Sequence, residues 1–221
     1  MTLTILRMRS EDLGDRWDIQ YHRAPTINIV EPAFSLGEIA TIRRGYSART
    51  EEYVTEEEKR KKVPYIRISD IHSRSVSGRS IKYILDKENI PGKARVETNE
   101  ILFSITGTLG KVGLVSAAFE KAVASSQIAI IRARERYVNS EFLVRALEAR
   151  YVKEQISRTQ TGSFIKDLSL DQLKRLRVSV PDKVTQSAIL LKLRALESEY
   201  EASKQTQDKV KHQIDSIFGG A

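Results

Sequence analysis

A strand-rich α+β domain followed by one long C-terminal α-helix is the fold class this sequence predicts. Three observations predict it. From Leu36 to Val180, short β-branched runs alternate with polar loops that contain Gly, Ser, Asn or clustered charge. From Asp182 to Phe218 there is neither Gly nor Pro. Over that second stretch, apolar residues recur at alternating spacings of four and three, which is the pattern of a heptad seam.

Residues 1–33 read as an irregular lead-in, with Pro25 and Pro32 bracketing the short apolar stretch Ile27 to Val30. Candidate strands follow at Ile39–Ile42, Tyr65–Ser69, Ile101–Thr106, Val112–Ser116, Gln127–Ala133 and Arg177–Val180. Loops at 43–62, 70–80, 86–94 and 106–111 separate them. One helix interrupts. Ser140 is suited to cap it and Glu141 to its first turn, and Phe142, Leu143, Ala146, Leu147 and Tyr151 share one face. The expected units are the lead-in 1–33, a strand-rich globular domain 34–182 and a helix 183–221.

The seam of the last helix is Ile189, Leu193, Leu196, Tyr200, Ser203, Gln207, Val210, Ile214 and Ile217. Some 36 residues rising about 1.5 Å each make a rod of about 54 Å. A stripe that long needs a partner. Ser203 and Gln207 put polar groups at its middle, where they cost stability and fix register. The alternatives are a coiled-coil-like arm for another chain and an ordinary helix packed on its own domain. The length of the stripe and the charge on the opposite face favour the arm.

The chain has 221 residues, 40% of them hydrophobic, enough for a packed core. No apolar run approaches membrane-spanning length. Arg7, Arg9, Glu11 and Asp12 interrupt any signal-peptide pattern, so a cytoplasmic protein is expected. Cysteine is absent, which excludes disulfides, thiolate zinc sites and cysteine nucleophiles. Net charge is +8. The lead-in carries −1 and the last helix +1, so residues 34–182 hold the whole +8. A positive field on one globular segment suits a polyanion partner. The same charge also fits a basic protein without one.

Motifs for catalysis fail when tested. Gly107-Thr-Leu-Gly110-Lys111 looks like a phosphate loop, but Ile105 stands where the first glycine is needed and Val112 where Ser or Thr is needed. It reads better as strand–turn–strand, with Thr106, Thr108 and Lys111 at an exposed edge. His22, His72 and His212 show no metal-ligand spacing, and no G-x-S-x-G elbow occurs. A non-enzymatic chain is expected.

Basic, polar loops are the positive signal. One holds Arg43, Arg44, Tyr46 and Arg49, followed by Lys59 to Lys62. Glu51, Glu52 and Glu56 to Glu58 balance the lysine run, so the three arginines carry more weight. A second holds Arg67, His72, Arg74 and Arg79, and a third Arg158, Gln160, Thr161, Ser163 and Lys166. Guanidinium, amide and hydroxyl groups suit base edges and phosphate oxygens.

Six stretches occur in a recognisable order. They are Leu36-Gly-Glu-Ile-Ala-Thr-Ile-Arg-Arg-Gly45, Val63-Pro-Tyr-Ile-Arg-Ile-Ser-Asp-Ile71, and Asn99 through Ser104-Ile-Thr-Gly-Thr-Leu-Gly-Lys-Val-Gly113. Ala124-Ser-Ser-Gln-Ile-Ala-Ile-Ile131, Gln160-Thr-Gly-Ser-Phe-Ile-Lys-Asp-Leu-Ser169, and Val180-Pro181 leading to Gln186 complete the set. Over about 36–218 this order resembles the target-recognition domain and spacer helix of type I restriction–modification specificity subunits.

The resemblance implies binding of double-stranded DNA, largely in the major groove. It implies docking of adenine-N6 methyltransferase subunits on the helix, with a restriction and translocase subunit in the wider complex. S-adenosylmethionine and ATP would belong to those partners. Full-length subunits carry two recognition domains and antiparallel helices, whereas this chain has one of each. Self-pairing as a homodimer would rebuild two-fold symmetry and select a split palindromic site. The stretch Arg16-Trp-Asp-Ile-Gln-Tyr21 looks like the lead-in of such domains, including those fused behind methyltransferases. Rival readings are the recognition domain of a fused type II methyltransferase–nuclease, and a coiled-coil scaffold whose basic domain binds RNA or acidic protein.

Overall fold

The structure, a computed structural model, describes residues 29–159 and 167–218. Its strands are β1 (Ala33–Ser35), β2 (Ala40–Arg44), β3 (Tyr53–Val54), β4 (Lys62–Ile66), β5 (Ile71–His72), β6 (Arg74–Val76), β7 (Lys82–Leu85), β8 (Ile101–Ser104), β9 (Val112–Leu114), β10 (Val123–Ala124), β11 (Ile128–Ala133) and β12 (Arg177–Ser179). Its α-helices are α1 (Leu36–Ile39), α2 (Ser140–Glu148), α3 (Arg150–Thr159), α4 (Leu170–Arg175) and α5 (Lys183–Phe218).

The described strands form three sheets. The largest has the order β2-β11-β8-β9-β6-β5, a second has β10-β4-β7-β3, and β1 pairs with β12. β8 and β11 are apolar runs because both faces of the large sheet are covered. Side chains alternate across the sheet. Ile101, Phe103, Ala129 and Ile131 face a core shared with the helices, through Leu143, Leu147, Val152 and Leu173. Leu102, Ile128 and Ile130 face a second core with Ile66, Val96 and Val115. Val63, Tyr65 and Ile84 build a third, under the four-stranded sheet.

Gly45 joins the two larger sheets. Its N–H bonds to the Ile128 carbonyl at 3.1 Å, and the next N–H, of Tyr46, to the Ala124 carbonyl at 2.8 Å. A Cβ at this position would stand 2.2 Å from the carbonyl oxygens of Ala124 and Ser125. Only glycine lets the strands approach so closely.

The structure differs from the sequence reading at several borders. The predicted strand Ile39–Ile42 begins as a helical turn, α1. The Glu38 carboxylate accepts from the Ser35 N–H and hydroxyl, both at 2.7 Å, and so winds it. The predicted helix cap is Asn139, not Ser140: the Asn139 side chain accepts from the N–H groups of Glu141 and Phe142, and Ser140 is buried. The single predicted helix is two, because Ala149 is extended at ψ 148. Tyr151 belongs to the second, where its hydroxyl accepts from Ser179 N–H at 3.1 Å. The loops 43–62 and 70–80 contain the short strands β3, β5 and β6.

α5 spans 36 residues. Asp182 caps it, accepting from the N–H groups of Val184 and Thr185 at 3.0 Å each. Gln186 then fastens it to the domain and is fully buried. Its carbonyl oxygen accepts from Asn139 N–H at 2.9 Å, and its amide donates to the carbonyls of Tyr137 and Pro181 at 2.9 and 2.8 Å. Leu190 enters the helix-side core, and Leu193 and Glu197 are half-buried. From Ser198 onward, every described side chain of the helix is exposed.

Candidate nucleic-acid interface

One end of the six-stranded sheet gathers most of the sequence-predicted contact residues that the structure describes. β2 ends there at Arg44, β8 at Ser104 and β5 at His72, while β11, β9 and β6 begin there at Ile128, Val112 and Arg74. That alternation follows from the antiparallel pairs and the parallel β6–β9 pair. It brings Arg44, Tyr46, His72, Arg74, Thr106, Thr108 and Lys111, scattered over 68 positions of sequence, to a single edge.

The turn from β8 to β9 is the strand–turn–strand expected. Gly107 and Gly110 take φ of +71° and +76°, which other residues rarely adopt. The Ser104 hydroxyl pins the turn from inside, donating to the Thr108 carbonyl at 2.5 Å and accepting from Lys111 N–H at 2.8 Å. Thr106 donates to Asp167 at 2.9 Å, and Leu168 N–H bonds to the Ile105 carbonyl at 2.8 Å. Those bonds hold Asp167 and Leu168 at the same edge. Gln160, Thr161, Ser163 and Lys166 themselves lie outside the described residues.

The predicted arginines divide sharply. Arg43 is not a loop residue: it lies on β2 and its donors are spent inside the domain. It gives two bonds of 2.6 Å to the Glu100 carboxylate and others to the carbonyls of Lys93 and Arg95 at 2.6 and 2.9 Å. Glu100 is 2% exposed. Burial pushes its pKa up, but hydrogen bonds from Arg43, the Glu97 backbone and Arg132 outweigh that and hold it below the usual carboxylate range. Arg44, one residue on, is exposed. Arg67 clamps Asp70 at 3.1 and 3.0 Å and the Ser80 carbonyl at 2.9 Å. It lies with exposed Arg79 at the open end of the β5–β6 hairpin. Arg74 reaches Glu148 at 3.2 Å and Glu197 at 2.5 Å.

Tyr46 is structural, its hydroxyl donating to Glu52 at 3.0 Å. Burial, and then this carboxylate, raise its pKa. Lys111 is half-buried, with its ammonium 3.5 Å from the Ile68 carbonyl. Arg49, His72 and Thr108 are exposed. Gln127, which sequence reasoning passed over, is also exposed at this edge, and the Ile105 N–H bonds to its carbonyl at 2.9 Å. Its only signal was its place inside the stretch Ala124–Ile131. Among the described residues, no cluster of three His, Asp or Glu side chains is set to hold a metal. No helix among them is long and apolar enough to cross a membrane.

A strand-rich body that offers exposed basic and amide side chains along one sheet edge, and stands on a long helix, is the build of a recognition module. The chain belongs to the type I restriction modification DNA specificity domain family, whose model matches residues 31–212. Solved structures share the fold. A chain from a study of complex assembly and conformational transition of the type I R-M system superposes with TM-score 0.67 at 15% identity, covering 86% of this chain and 45% of that one. The HsdS subunit from Thermoanaerobacter tengcongensis gives 0.65 at 18% identity, covering 85% and 48%. The type IIG restriction endonuclease BpuSI gives 0.53 at 9% identity, covering 73% and 26%. The chain thus spans less than half the length of each of these structures. A search of curated proteins gave no match.

Proposed function

We propose that this DNA specificity chain acts as half of a two-domain reader. It pairs through α5 with a second copy, reads a split palindromic duplex site, and positions N6-adenine methyltransferase subunits on that site. Bases and phosphates are contacted from the shared sheet edge by Arg44, His72, Thr108, Lys111 and Gln127, with exposed Arg49 as a further contact. Methyl transfer from S-adenosylmethionine and ATP-driven restriction belong to the partner subunits.

The observation that carries this reading is the arm. Ile189, Leu196, Tyr200 and Val210 are all exposed along its seam, Tyr200 by 66%. A second apolar pair, Val184 and Leu191, is more exposed still, at 80% and 70%. At about 100° per residue, the second pair lies about 140° round the helix from Ile189 and Leu196. Two separate apolar faces suit two kinds of partner, a second arm and a methyltransferase.

Light scattering behind size-exclusion chromatography, run without DNA, tests the pairing. The expected mass is twice 25.1 kDa, and a monomer at all concentrations would overturn self-pairing. Selection from random duplexes tests the reading of DNA, with a palindrome split by a fixed spacer as the expected product. The fold shared with a type IIG endonuclease supports a second reading, the recognition domain of a fused methyltransferase–nuclease. That reading expects a monomer and an asymmetric site.

A further inference from the structure

We propose that Glu197 is a positioning residue: with Arg145 and Arg74 it forms the fulcrum that sets the angle between the arm and the recognition domain. Three elements meet at this one carboxylate. Arg145 of α2 grips both of its oxygens, the second at 2.9 Å. Arg74, from the tip of the β5–β6 hairpin, binds the same carboxylate and reaches on to Glu148 of α2 at 3.2 Å. One turn earlier on the arm, Arg194 pairs with Glu141 of α2.

The position of the cluster gives it leverage. Upstream of it, Gln186 and Leu190 bury the start of α5. Downstream, every described side chain is exposed. Among the described residues, Glu197 is therefore the last place where the domain holds the arm. The free part runs from Ser198 to Phe218, about 31 Å at about 1.5 Å per residue. A swing of about 10° at Glu197 moves the far end by about 5 Å.

The hairpin end of the cluster is held just as firmly. Ser73 and Arg74 have φ of +44° and +64°, a left-handed pair in a two-residue turn usually built from Gly, Asn or Asp. With no glycine there, the turn leans on what Arg74 binds. Glu197 thus connects the arm to a turn that presents His72 at the candidate DNA edge. The angle it sets does not depend on which bases are read.

Spin-label distances test this on the full chain. With no cysteine in the sequence, the pair Ala118→Cys and Gln205→Cys takes two labels and no others. Both sites are exposed, and dilution with unlabelled chain removes distances between copies. The wild-type background should give one narrow distance. Glu197→Gln should widen the distribution at least twofold, and so should Arg74→Ala, which leaves the arm's own sequence intact. Thermal midpoints should stay within about 2 °C, because half-exposed ion pairs contribute little to global stability. Unchanged widths in both variants would overturn the proposal. So would a fallen midpoint with an unchanged width, which is the mark of a merely structural pair. Neither measurement uses DNA, so the result stands apart from the proposed recognition of a split site.

Discussion

The two halves of α5 share one heptad pattern and have opposite fates. The first four turns are fixed to the domain by a buried amide, a core leucine and ion pairs. The remaining turns present their described side chains to solvent. The periodicity that predicts the helix therefore does not say which stretch of it is spoken for. The difference comes from Leu190 and Glu197, each one position off the seam, and from Gln186, one heptad before Leu193, which turn a flank of the helix toward the domain and leave Ile189 and Leu196 outward.

Substitutions can break that contrast. Leu190→Asp should have the largest effect, about 4 kcal/mol lost in urea unfolding, because it puts an unpaired charge in the helix-side core. Arg43→Ala should cost about 3 kcal/mol by leaving Glu100 buried with less compensation. Arg44→Ala, its neighbour, should leave stability within about 0.5 kcal/mol and instead weaken duplex binding by about 1 to 3 kcal/mol. Equal stability losses would contradict the inside–outside division of the pair. Gln186→Ala should cost about 2 kcal/mol, since it orphans backbone groups of Asn139, Tyr137 and Pro181.

Acid should weaken the domain through Glu100. The Glu100 pKa is lowered in the fold. Its contribution is therefore complete above the ordinary glutamate value and is lost as pH falls through the lowered one. Urea midpoints at pH 7 and pH 3 should differ less in Glu100→Gln than in the wild type. Val210→Asp should be the mildest change to the chain itself, below about 0.5 kcal/mol, while converting a dimer to a monomer in light scattering. A Val210→Asp dimer would move the pairing face to the Val184 and Leu191 side.

Much of this architecture was legible in the sequence. The long helix and the six stronger strands show as periodicity and β-branched runs. β3, β5 and β10 are two residues each, too short for any period to register. Arg43 reads as a loop contact because its partner, Glu100, lies 57 positions away. Arg74 reads the same way, though Glu197 is 123 positions distant. Local chemistry marks a guanidinium as a donor and cannot say to whom. Gln186 left only a faint trace, one amide in a helix that also carries Gln205, Gln207 and Gln213. The gathering of loops at one edge left none, because strand order alone decides it.

That edge has a consequence for how such a chain can change. The side chains that fold the large sheet, among them Leu102, Phe103, Ile130 and Ile131, sit within its strands. Thr108 and His72 cap the strand ends and are exposed. Drift in the capping residues exchanges no core atom, so on the proposed reading new targets become accessible by mutation while the foldable scaffold and its long helix are inherited unaltered.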